Sequence, residues 1–458
     1  MTSTAQTARP LRIPRFWNPP FAVTAIFATF IVARYMQWGA RKDIFEAIRI
    51  EFLLGIMLIA LSSYMLSLQP LRFDVLPEAK RVLIGICLLF FTMIIQIPIA
   101  ADPALAQIVF WDRVIKFAML TFFIMALVRS PDTMRWFMAA FLFACFYVTQ
   151  ESARGALNGG LIWENQGIMR LHGAVPIYRH PNSLAGVAAG TIPFAVFVAA
   201  GVRRWWVKGM LLAPLATATL CVMYSGSRTG YLGVLAFLLY WWSQSDKKLR
   251  WVIWAVALGV VLVPLIPKQY IERFQSIGGE EAEGHSKEAR LQIIEDAVAI
   301  FMENPAGVGV ASFPAVRRAK FGRSQDTHNL YLEVATNLGI QGLAVFLFLV
   351  GAMYVAVRKA IRDFRRRRRE LDLALRKVGR NRRLRKRLTA LRQDVIFLEM
   401  VAKATNGFLL VRLVLGLFGM DLYEVYWWFA AGLAIALLET ARRLKRVVRG
   451  ALLVAESP

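Results

Sequence analysis

Long apolar blocks alternate along this chain with short polar connectors, many of them basic. The blocks fall at 20–37, 50–68, 81–99, 107–128, 133–150, 184–201, 208–224, 229–243, 250–266, 340–357, 401–420 and 423–441. Each approaches the roughly 20 apolar residues that a helix needs to cross a bilayer core. The pattern predicts an all-α polytopic membrane protein with about twelve transmembrane helices, forming one integral membrane domain over 1–458.

Composition agrees: 57% of the 458 residues are hydrophobic and mean hydropathy is +0.48. Lys and Arg gather in the connectors Arg9–Arg15, Arg72–Arg81, Arg203–Lys208, Lys247–Arg250 and Arg442–Arg449, and in the run 358–394. Basic connectors stay in the cytoplasm, so an even number of spans with both termini inside satisfies them all. The loop 38–49 is the exception. It is expected outside yet carries Arg41, Lys42 and Arg49, only partly offset by Asp43 and Glu46. Net charge is +26, and the run 358–394, with 17 Lys/Arg against 4 Asp/Glu, supplies half of it. Phe364 is the only aromatic residue in that run, which argues against stacking on bases and against a nucleic-acid partner. The segment 358–396 is expected to be cytoplasmic and to sit near anionic lipid. Cys87, Cys145 and Cys221 lie in apolar blocks without metal spacing, and no cleavable leader is expected.

Two long connectors, 151–183 and 267–339, fall on the outer side. Both are rich in Gly, Pro and polar residues, and they are expected to pack on each other and on the span ends. The second contains a helix at 286–303, ended by Asn304-Pro305 because the residue before Pro avoids helical geometry. Steps of about 100° put Leu291, Ile294, Ala297, Val298 and Phe301 on one face and Glu288, Gln292, Glu295, Asp296 and Glu303 on the other. Such an amphipathic helix should lie along the membrane surface.

Against the rule that cations stay inside, Arg170, Arg179, Arg228, Arg290 and His328 all fall on this outer face. Fixed cations there call for an anionic partner, and a lipid-linked phosphate is the natural one. Arg290 interrupts the apolar face of its helix, either as a snorkelling side chain or as a protected phosphate ligand. Arg228 lies in Tyr224-Ser225-Gly226-Ser227-Arg228-Thr229-Gly230, a tight interhelical turn or a small anion cradle built from Ser227, backbone N–H groups and a helix start. Arg170, Arg179, His180 and Asn182 flank a turn at Pro181 and could bind sugar or phosphate; His172 reads as an ordinary loop residue. His328 precedes a helix start, with Asp326 or Thr327 expected as the cap. A helix N-terminus and nearby Arg side chains disfavour the imidazolium, leaving a neutral ring able to accept a proton. A structural histidine is the plainer alternative. Four histidines without metal spacing argue against zinc. Asn337-Leu338-Gly339 should end a short surface helix, with the true span starting near Ile340. Asp112 and Lys116 can pair within the fourth span.

His328-Asn329, followed by Gly339 and Gly342, resembles the signature of the O-antigen ligase and polymerase superfamily. Gly226-Ser227-Arg228-Thr229-Gly230 is similar to its Ser-Arg-Gly element. The stretch from Arg290 to Asn304-Pro305-Ala306-Gly307-Val308-Gly309 resembles its outer-loop helix and Gly turn. The resemblance covers about 225–345. It implies a metal-independent, cofactor-free, inverting glycosyltransferase of the bacterial inner membrane with a periplasmic active site. The implied donor is a glycan on undecaprenyl diphosphate; for a ligase the acceptor is lipid A–core. By the same resemblance His328 deprotonates the acceptor hydroxyl, Arg228 and Arg290 hold the diphosphate, and Arg170, Arg179, His180, Asn182, Ser227 and Asn329 bind substrate. The long basic insertion departs from the family pattern and leaves the acceptor open. A polymerase of lipid-linked repeats and a transferase to protein are rivals within the family. A lipid-linked glycan transporter and a scaffold are rivals outside it; a transporter would carry its cations at the bilayer midplane.

Overall fold

A computed structural model describes residues 16–165, 168–245, 248–249, 253, 260, 285–378 and 381–456. These are overwhelmingly helical. In chain order the elements begin α1 (Phe21–Met36), α2 (Asp43–Ala47), α3 (Ile50–Leu68), α4 (Pro77–Gln96), α5 (Pro103–Val109), a π-helical turn (Phe110–Ile115), α6 (Lys116–Leu127) and α7 (Pro131–Leu157). A two-stranded antiparallel ribbon follows, β1 (Ile162–Asn165) and β2 (Ile168–Leu171), with Trp163 opposite Arg170. Then come α8 (Pro181–Gly201), α9 (Trp205–Tyr224), α10 (Arg228–Ser243), α11 (His285–Glu303), α12 (Phe313–Phe321), α13 (Leu330–Lys377), α14 (Arg382–Leu415) and α15 (Val425–Glu456).

Apolar blocks become helices because only a helix satisfies its own backbone donors and acceptors without water. Among the described residues α3, α8, α9 and α13 are long and apolar enough to cross a membrane, and α1 is a shorter apolar helix. The expected span 250–266 falls outside the described residues, apart from 253 and 260. The expected span 107–128 is interrupted by the π-helical turn, which carries the pair Lys116 Nζ–Asp112 Oδ1 at 2.8 Å. The core gathers where α7, α8, α14 and α15 meet at Phe429. Its ring lies 5.0 Å from Phe141, 5.8 Å from Phe194 and 5.6 Å from Phe408.

The basic segment is not a loop hung between two spans. α13 runs on past the apolar block to Lys377 and α14 returns from Arg382, so the charges coat a helical hairpin. Phe364, Leu371, Leu388 and Val395 are fully buried along it, and a period-3.6 stripe of that kind is enough to pair two helices. One cation of the 38–49 connector is paired locally: Arg41 forms a bidentate pair with Glu151 at 2.6 and 2.7 Å.

α11 differs from its expected amphipathic split. Its inward face is Ile293, Asp296, Ala297 and Ile300, packed on Phe313 of α12 and Val308. Of the expected apolar face Ala297 is buried against protein while Leu291, Ile294 and Val298 stay exposed, and Asp296, expected on the polar face, is buried. The reason is a partner that helical periodicity does not encode: Arg317 of α12, 1% exposed, donates from Nε to Asp296 Oδ2 at 2.8 Å, and Arg323 reaches the same carboxylate at 3.0 Å.

Candidate functional site

His328 is held by its neighbours on both sides. Asn329, not Asp326 or Thr327, caps α13: its Oδ1 accepts from Tyr331 N at 2.9 Å and Leu332 N at 3.1 Å. Its Nδ2 donates to Leu417 O at 3.1 Å, and Leu330 N donates to Gly416 O at 2.7 Å. Thr327 Oγ1 bridges forward to Asn329 O at 3.0 Å, while Asp326 Oδ1 takes Thr327 N at 3.1 Å. Between these two small motifs His328 adopts φ 45°, the left-handed region that a non-glycine residue enters at some cost. Asp and Thr therefore hold the preceding turn, Asn starts the helix, and the imidazole is left to project.

Its ring opens into a cavity of about 620 Å³. α8 contributes Asn182, Ser183 and Gly186, α10 contributes Thr229, and the 416–424 turn contributes Phe418, Met420 and Asp421. His180, Arg113, Asp326, Glu333, Arg412, Tyr423, Glu424 and Tyr426 complete the polar wall. His328 is exposed to this space, yet the walls displace much of its bulk water. That burial holds its pKa below the usual 6.5; Arg290 and Arg317 push the same way, and Asp326 pushes back. His180 is likewise lowered, by burial and then by Arg170 and His328. Its Nδ1 accepts from Asn182 N at 3.1 Å, which puts the proton of the neutral ring on Nε2. Burial raises the Asp326 carboxyl, with Thr327 N, His328 and Arg113 opposing it.

The expected site residues divide into two groups. His328, His180 and Asn182 line the cavity. Arg228 opens α10 next to the lining residue Thr229, and Arg290 lies on α11 where His328 feels its charge. The others hold the frame. Arg170 is 1% exposed and donates to Ser225 O and to Asn182 Oδ1, both at 2.7 Å. Ser227 caps α10 by accepting from Gly230 N at 3.2 Å, and Asn329 caps α13. Arg179 is exposed and does not line the cavity.

Sequence reasoning passed over Arg412. It is 2% exposed, donates to Gly186 O at 2.8 Å, pairs with Asp421 at 3.3 Å and lies over the Tyr426 ring at 3.1 Å. An Arg inside the apolar block 401–420 was the available signal, since ionisable residues in such blocks are functional by default. Glu333, which accepts from Leu422 N at 3.1 Å, gave no comparable signal before the turn at 416–424 was in place. Among the described residues no group of three His, Cys, Asp or Glu is placed to hold a metal.

A neutral imidazole in a walled cavity, with guanidinium groups close by, suits deprotonation of a hydroxyl next to an anionic leaving group. Residues 213–347 match the family model described as O-antigen ligase. No curated protein matches the chain. The matched stretch runs from within α9 into α13 and contains Arg228, Arg290, His328, Gly339 and Gly342, the positions around which the site is organised. Over residues 213–347 the chain thus resembles the O-antigen ligase and polymerase superfamily, and four of its described helices are long and apolar enough to cross a membrane.

Proposed function

We propose that this protein is an O-antigen ligase-type glycosyltransferase. It moves a glycan from undecaprenyl diphosphate to lipid A–core on the periplasmic side of the bacterial inner membrane, with inversion and without a metal. In this reading 1–458 is one multi-pass domain of about twelve spans with both termini cytoplasmic. The segments 151–183 and 267–339 form the periplasmic face, and the basic hairpin lies in the cytoplasm. His328 takes the proton of the acceptor hydroxyl as that oxygen attacks the anomeric carbon. The bond from that carbon to the diphosphate breaks, and Arg228 and Arg290 stabilise the departing charge.

The observation that carries the reading is the state of His328: pinned in a left-handed turn, opening into the cavity, with its pKa lowered by burial and by Arg290. A polymerase that joins lipid-linked repeats, or a transferase to protein, would use the same centre. Purified protein supplied with undecaprenyl-diphosphate glycan and lipid A–core tests the choice. One block transferred by wild type and none by His328→Ala, Arg228→Ala or Arg290→Ala is the expected result. A ladder of products on the donor lipid marks the polymerase instead. Undiminished transfer by all three variants removes the mechanism.

A further inference from the structure

Charge is unevenly distributed around His328. The cavity wall contains two guanidinium groups, and both are engaged by protein: Arg412 with Asp421 at 3.3 Å and Gly186 O at 2.8 Å, Arg113 with Glu424 at 2.9 Å. Two more carboxyl groups share the wall: Asp326, and Glu333, which is buried, accepts from Leu422 N at 3.1 Å and is pushed by burial well above the usual carboxylate range. Among the described residues Asp326 makes no ion pair, and its side chain accepts from Thr327 N at 3.1 Å. The cations that act on His328, Arg290 and Arg317, are absent from the lining. The wall also presents the rings of Tyr423, Tyr426 and Phe418.

A diphosphate inside this wall would meet Asp326, while both wall guanidinium groups are already engaged by Asp421 and Glu424. A sugar fits the same surroundings. Its hydroxyls donate to carboxylates, which only accept, and the C–H faces of its ring pack on aromatic side chains of the kind common in small-ligand sites. The donor phosphates then belong on the Arg290 side of His328, and the cavity belongs to the other substrate.

We propose that the cavity is the acceptor-sugar site, that the sugar it takes is uncharged or amine-bearing rather than phosphorylated, and that Asp326 accepts a hydrogen bond from the hydroxyl or ammonium beside the attacking oxygen. This rests on the reading of His328 as base. In the transfer step the acceptor O–H proton goes to His328, the oxygen bonds the anomeric carbon, and the diphosphate leaves with the electron pair. Asp326 binds without exchanging a proton.

The test uses the full chain in lipid nanodiscs and measures equilibrium binding of methyl glucoside, methyl glucosaminide, methyl glucoside 6-phosphate and undecaprenyl diphosphate. Methyl glucoside and glucosaminide should bind, and the phosphorylated sugar should bind about tenfold more weakly or not at all, the scale of one hydrogen bond to a charged group. Asp326→Asn should weaken glucosaminide binding and leave undecaprenyl diphosphate unchanged, Arg290→Ala should do the reverse, and Asp326→Glu should retain amine preference. Thermal unfolding recorded alongside identifies a misfolded variant, in which case the probe series on wild type and Asp326→Glu decides. Equal binding of the neutral and phosphorylated glucosides overturns the proposal, as does an Asp326→Asn protein that is folded and binds glucosaminide unchanged. Failure of wild type to bind undecaprenyl diphosphate would instead remove the donor reading, leaving the sugar preference of the cavity as a separate result.

Discussion

Gly307 and Gly339 meet backbone to backbone: a Cβ on Gly307 would lie 2.6 Å from Gly339 N, and one on Gly339 would lie 2.3 Å from the carbonyl carbon of Ala306. Both have positive φ, 94° and 72°. The contact is closed by Val308 N to Thr336 O at 2.9 Å, Gly309 N to Asn337 O at 3.0 Å and Ile340 N to Pro305 O at 2.9 Å. It breaks α13 at Gly339 and fixes the end of α11 against it, so the helix bearing Arg290 is referenced to the helix that follows His328. Gly339→Ala should therefore cost about 2 kcal/mol or more through backbone strain alone and should abolish transfer with His328 intact. Thermal unfolding and the transfer assay check both parts; an alanine variant of wild-type stability and activity would show the contact to be dispensable.

A second constraint on α11 is ionic and joins it to α12. Asp296→Asn leaves Arg317, 1% exposed, without its carboxylate. Removing one partner of a buried pair costs roughly 3–5 kcal/mol, so this variant should unfold well before Glu295→Gln on the exposed side of the same helix. A melting curve for each, in the same lipid, makes the comparison.

His328 works as a base only when unprotonated. Its pKa is held below 6.5, so kcat/KM should climb with pH through a midpoint under 6.5 and level off above it. Arg290→Ala removes a lowering influence and, in a variant expected to lack transfer, should move the imidazole titration of His328 up when it is followed by NMR. Asp326→Asn removes the raising influence and should move it down. A wild-type midpoint above 6.5, or shifts of the opposite sign, would mean that another group titrates.

Arg170 and Arg228 were grouped by sequence but should respond differently. Arg170 joins the Ser225 carbonyl to Asn182, so Arg170→Ala should destabilise the fold by roughly 1.5–3 kcal/mol for each charged hydrogen bond lost. Arg228→Ala should raise the KM for the lipid-linked donor. Steady-state kinetics beside unfolding curves separate the two effects.

The sequence alone determined the helical class, the positions of most apolar helices and the break at Gly339, and it singled out His328, Arg228 and Arg290 as candidates. These depend on local signals: apolar block length, turn residues, and cations on a face where topology disfavours them. Only the tertiary structure decided which cations are structural. Arg170 and Arg412 resemble site arginines in one dimension, yet each is held by backbone carbonyls from a distant helix. Nor could periodicity foresee that Asp296 would turn inward, because its reason, Arg317, lies 21 residues further on. The cavity itself is assembled from α8, α10, α13 and the 416–424 turn, segments far apart in the chain. A pattern of neighbours along the chain carries no record of which charge will neutralise which across such distances; packing alone sets that pairing.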